Sequence, residues 1–124
     1  MKQLIGITLC LFLCFPLLTV STGQPHSRSE STSCISYIPS AISPNGDGVN
    51  DFFQIHFQCE PSDYAMRIYN EDAQLVYESH QLGQRWDGSI QGAPAPEGTY
   101  TWILSYDTFE GRQLSRKGTL MLIR

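Results

Sequence analysis

From Ile35 onward no stretch of the sequence carries the apolar stripe of a helix; its apolar residues fall instead into short runs that alternate with polar ones. In FFQIHFQC, residues 52–59, Phe53, Ile55, Phe57 and Cys59 alternate with Gln54, His56 and Gln58, which predicts a half-buried strand with Cys59 facing the core. MRIYN and QLVYES flank Glu71, Asp72 and Ala73 as two strands of a hairpin. In TYTWILSYDTF, residues 99–109, Tyr100, Trp102, Leu104 and Tyr106 share one face; EGR at 110–112 then turns the chain into a last strand ending in GTLMLIR. The runs are rich in β-branched and aromatic residues and bounded by Gly, Pro, Asn or Asp. Period two with such boundaries predicts an all-β fold, an antiparallel β-sandwich of about seven strands.

The length of 124 residues, 41% of them hydrophobic, suits one core and leaves little for a second. Residues 1–23 predict a secretory signal peptide: Lys2 supplies the charged start, Leu4 to Val20 the apolar stretch, and Ser21 and Gly23 the small residues before cleavage. A retained membrane anchor is the alternative, but Pro16 interrupts the stretch and its length is short for a bilayer span. Residues 24–33, QPHSRSESTS, contain almost nothing apolar and predict a flexible leader before a domain at 34–124. The formal net charge of −4 and the scattered Lys and Arg offer nucleic acid no patch. No serine lies in a nucleophile elbow, and no convergent set of titratable groups can be named. The sequence therefore predicts no enzyme, no catalytic residue and no small-molecule substrate.

Cleavage of the signal removes Cys10 and Cys14, leaving Cys34 and Cys59. In an exported chain such a pair predicts one disulfide, with two buried free thiols as the alternative. SPNGDGVNDFF, residues 43–53, also has two readings. Asn45, Asp47 and Asp51 offer hard oxygen ligands at close spacing for Ca²⁺. In the other reading the Asn and Asp side chains bond nearby backbone amides while Gly46 and Gly48 take positive φ, fixing a turn before the next strand. The loop lacks the length and closing glutamate of an EF-hand, so the turn is expected, with Ca²⁺ as a further use of the same residues. WDG at 86–88 reads as a core tryptophan beside a turn.

SPNGDGVNDFF, RIYNEDAQLVYES, WDG, PEGTYTWILSY and KGTLMLIR, in that order from about Ser36 to Arg124, resemble the gliding-motility-associated C-terminal domain. That family is the type B sorting domain of the type IX secretion system of Bacteroidetes-type bacteria. The resemblance implies an immunoglobulin-like sandwich that an outer-membrane translocon and its sorting machinery recognise after Sec export. Carried over residue by residue, Pro44, Asn45, Gly46, Asp47, Gly48, Asn50 and Asp51 match the loop signature, and Ile68, Tyr69 and Asn70 the middle strand. Trp86, Asp87 and Gly88 match the W-D-G turn, and Gly98 and Tyr100 the start of the next strand. Lys117, Gly118, Leu122, Ile123 and Arg124 match the closing segment, whose alternating apolar end suits an edge strand read by β-augmentation. NEDA at 70–73 departs from the NRWG of many relatives and lacks its aromatic.

The resemblance implies a protein that crosses the inner membrane by its signal peptide, passes through the periplasm and reaches the cell surface or the medium. Because the sorting domain fills nearly all the sequence after the leader, a small envelope signalling or accessory component is expected. A surface adhesion or ligand-binding sandwich, stabilised by calcium, is the alternative.

Overall fold

The computed structural model describes residues 34–124; the signal peptide and leader expected at 1–23 and 24–33 lie outside them. The described chain is all β, with β1 at Ile35–Tyr37, β2 at Ala41–Ile42, β3 at His56–Phe57, β4 at Ser62–Tyr69 and β5 at Leu75–Ser79. The short β6, Ser89–Ile90, and β7, Ala93–Pro94, precede the two long strands β8, Gly98–Asp107, and β9, Gln113–Leu122. The expected count of about seven becomes nine because four connections contribute two-residue pieces.

Five strands form the main sheet in the order β2-β9-β8-β4-β5, while β1 pairs with β3 and β6 with β7. Neighbours are antiparallel except β2 and β9, which run parallel where Ala41 faces Met121 and Ile42 faces Leu122. The pleat sends Tyr64, Met66 and Ile68 of β4, Tyr100, Trp102, Leu104 and Tyr106 of β8, and Leu120 and Leu122 of β9 into one core. The four β8 residues are those the alternation predicts. Phe53, Phe57 and Trp86 meet them from the other layer, with ring centroids 6.2 Å apart for Phe53–Trp102, 5.4 Å for Phe57–Tyr106 and 5.1 Å for Trp86–Tyr100. Burying each such side chain contributes about 1.5–3 kcal/mol.

Residues 52–59 depart from the expected strand. Only His56 and Phe57 are strand; Phe53 makes an isolated bridge to Trp86, exchanging backbone bonds of 2.8 and 3.0 Å. Phe53 and Ile55 are buried as the alternation predicts, but Cys59 is exposed rather than facing the core. The chain leaves the sandwich after Phe57, drawn toward β1 by the Gln58 amide on the Cys34 carbonyl at 2.8 Å. Cys34 is the buried partner, and a disulfide joins it to Cys59 across 25 residues of sequence. It closes a loop that holds β1, β2 and the whole of residues 43–53 against the core.

Candidate functional site

Residues 43–51 form a turn organised around one carboxylate. Asp51 Oδ1 accepts the Asn45 and Gly46 amides at 3.0 and 2.8 Å, and Oδ2 accepts the Gly48 amide at 2.8 Å. Asn45 Oδ1 takes the Asp47 amide and Asp47 Oδ1 the Val49 amide, so each side chain answers the backbone two residues on. Gly46 and Gly48 have φ of 77° and 86°, and Asn50 closes the turn at 53° with its carbonyl on the Ser43 amide. The Gly46 amide first, then Gly48, holds the Asp51 carboxyl below its ordinary value of 3.8. The turn ends on Phe52, whose ring lies 3.8 Å from the Arg85 guanidinium carbon, and on Phe53 in the core.

The WDG turn stands beside it. Trp86 is fully buried and donates through Nε1 to the Ser89 carbonyl at 2.8 Å, and Asp87 caps the Ser89 amide at 2.9 Å. The Ser89 hydroxyl above all lowers the Asp87 pKa, and Arg124 adds to it through charge. Gly88 has φ of 74°, and a Cβ there would lie 3.0 Å from Pro44 Cγ, 3.1 Å from Leu122 Cδ1 and 3.5 Å from Arg124 Nη2. Arg124 folds back over this turn, donating through Nη2 to the Gly88 carbonyl at 2.8 Å and through Nε to the Ala95 carbonyl at 3.2 Å. Its amide donates to Glu97. Three motifs far apart in sequence thus meet at one end of the sandwich.

The sequence matches the CHU_C type IX secretion signal domain over residues 36–122. The chain belongs to that family. No curated protein matches it. Among solved structures it is similar to CopC from Methylosinus trichosporium OB3b, at 14% identity and a TM-score of 0.48, over 69% of this chain and 84% of that one.

In this type IX secretion signal domain the expected signature residues divide into two groups. Pro44, Leu122 and Arg124 surround Gly88, and the loop residues Asn45 to Asp51, closed on the Asp51 carboxylate, follow Pro44 in the chain. Gly98 starts β8 at φ 148° opposite Leu122, and Tyr100, two residues on, hydrogen-bonds the Pro96 carbonyl at 2.7 Å, the arrangement of a tyrosine corner. Asn70 turns the β4–β5 hairpin, its Oδ1 accepting the Asp72 and Gln74 amides at 3.0 and 2.9 Å. Lys117 and Gly118 stand apart, six or seven residues before Arg124 on an extended strand, roughly 20 Å away. Gly118 serves the core: a Cβ there would run into the Trp102 indole, which lies across it from β8.

The end of the closing segment, from Met121 to Ile123, is not the open edge that the alternation suggested. Met121 and Ile123 donate to the Ser40 and Ile42 carbonyls, both at 2.9 Å, so β2 covers that side. Their side chains turn outward, 51% and 45% exposed, beside Arg124. Glu97 and Ala95 are the participants that the signature missed. PEGTY contained Glu97, but only the pairing of Gly98 with Leu122 brings it to Arg124, 27 residues away in sequence.

Proposed function

We propose that residues 34–124 are the address of an exported protein, read by the outer-membrane translocon of a type IX secretion system, which carries the chain from the periplasm to the cell surface or the medium. Family membership over residues 36–122 carries this reading. The surface we assign to recognition is the end face where Met121 and Ile123 present apolar side chains beside Arg124. Gly88, Ala95 and Glu97 fix that arginine, so a partner meets an ordered surface and loses less entropy on docking.

The test follows an epitope-tagged chain, with the tag near Ser29, in a host that has the secretion system and in a translocon-deficient strain. Removing Lys117–Arg124 would take away most of β9's pairing with both neighbours, so Arg124→Ala, checked for folding by circular dichroism, is the better variant. The intact chain is expected outside the cell, with both comparisons leaving it in the periplasm. Equal distribution of the intact chain in the two strains would reject the sorting role; normal export of Arg124→Ala would reject only the assigned surface.

A further inference from the structure

Strand β9 is paired with β8 along all ten of its residues, but with β2 only at Met121 and Leu122. The amides of Met121 and Ile123 point toward β2. Because backbone groups alternate sides along a strand, the N–H and C=O groups of Ser115, Lys117 and Thr119 point the same way. No strand pairs with them there among the described residues. They form an unpaired template about 13 Å long. Beside it Trp102, buried and lying over Gly118, keeps its Nε1–H without an acceptor.

Charge selects the occupant. Arg116 and Lys117 are adjacent and exposed, and neither belongs to an ion pair among the described residues, although the whole chain carries a net charge of −4. A second copy pairing antiparallel about the middle of this stretch would set Lys117 opposite itself, which is unfavourable. An extended strand bearing Asp or Glu opposite Arg116 and Lys117 gains where the second copy loses. We infer that the open edge of β9 accepts one acid-bearing strand of another protein by β-augmentation along Ser115–Thr119. The partner's place in secretion rests on the sorting reading; the strand-accepting edge does not.

Amide hydrogen exchange followed by NMR tests this with a capped seven-residue peptide of valine and threonine that carries two adjacent glutamates at its centre, one for each face of the strand. In the free protein the amides of Ser115, Lys117 and Thr119 are expected to exchange about tenfold or more faster than those of Arg116 and Gly118, which face β8. Adding the peptide in excess should slow the three by a similar factor. Ser115→Pro removes one outward donor while sparing the β8 ladder, and Arg116→Glu with Lys117→Glu reverses the charge; each should abolish the slowing. If the proline variant does not fold, the charge reversal decides alone.

The inference is overturned if the three amides are already protected in the free protein, or if the peptide leaves them unchanged while the β8-facing amides stay protected. It is overturned equally if a peptide with lysine in place of glutamate slows them as much. None of these results touches retention in translocon-deficient cells, so the edge can fail as a strand acceptor while the sorting reading stands.

Discussion

At the end of the sandwich where β8 begins and β9 finishes, Pro44, Leu122 and Arg124 gather around Gly88; at the other end, where β8 turns into β9, Phe109 stands 98% exposed. Both ends have well-made turns. At the tip the Thr108 amide meets the Arg112 carbonyl and the Gly111 amide the Thr108 carbonyl, each at 2.8 Å, with Gly111 at φ 75°. Local bonds therefore order either turn. What separates them is long-range: residues from four segments of the chain meet at the first end, whereas the hydrogen bonds of the tip join only residues 108–112 and nothing lies within 4 Å of a Cβ at Gly111. A turn needs only its own residues, but a defined surface needs distant ones.

The largest effect expected from this difference is at Trp86. Trp86→Ala empties the space against Phe53, Tyr77 and Tyr100 and leaves the Ser89 carbonyl without its indole donor. A loss of about 3–5 kcal/mol follows, a large part of a marginal stability of about 5–15 kcal/mol. Urea unfolding measures it, and a loss below about 1 kcal/mol would mean that the motif end is not packed as described.

A matched pair of glycines sharpens the point. Gly46 and Gly88 have similar φ, 77° and 74°, but Gly46 has nothing within 4 Å of a Cβ while Gly88 faces Pro44 and Leu122. Gly46→Ala should cost about 1–2 kcal/mol for the left-handed backbone alone. Gly88→Ala should add about 1–3 kcal/mol of overpacking to that. Equal melting temperatures for the two variants would show that the convergence of Pro44, Leu122 and Arg124 exerts no steric pressure on the turn.

The same contrast marks what the sequence could reveal. Alternation in TYTWILSYDTF predicts the buried face of β8 residue by residue, and Asn, Asp and Gly spacing predicts the turn at 43–51, because both are set by neighbours in the chain. The exposure of Cys59 was hidden because FFQIHFQC keeps period two after the strand has ended, and nothing local shows that Gln58 is drawn toward Cys34. The signature residues could be named, but their division into an end face and a distant Lys117–Gly118 pair depends on the register of β9 against β8 and β2. Gly118 is the sharpest case. A glycine in a strand reads as a weakness until its cross-strand neighbour proves to be Trp102.

A smaller, pH-dependent effect belongs to Asp51. Its folded pKa lies below 3.8, chiefly through the Gly46 and Gly48 amides, so its contribution is whole at neutral pH. That contribution fades as the pH falls below 3.8 and on through the lowered folded value. Thermal melts of the wild type and Asp51→Asn should differ at pH 7 and draw together in acid; a gap that stays constant would remove the charge from the account. Since both carboxylate oxygens already accept amides, we expect a calcium chelator to leave the wild-type melting temperature unchanged. A fall would favour the calcium reading of Asn45, Asp47 and Asp51.

The smallest effect is expected at the tip. Phe109 is almost wholly exposed, so Phe109→Ser removes little buried surface and should change stability by no more than about 0.5 kcal/mol. The bonds between Thr108 and Arg112 and between Gly111 and Thr108 are backbone to backbone, so they survive the substitution. A loss comparable to that of Gly88→Ala would place a long-range contact at the tip, and the two ends would no longer differ in kind. A neutral result has a consequence of its own: because the fold does not require an exposed phenylalanine on a rigid turn, any loss of export by Phe109→Ser would measure contact with another molecule and not damage to the sandwich.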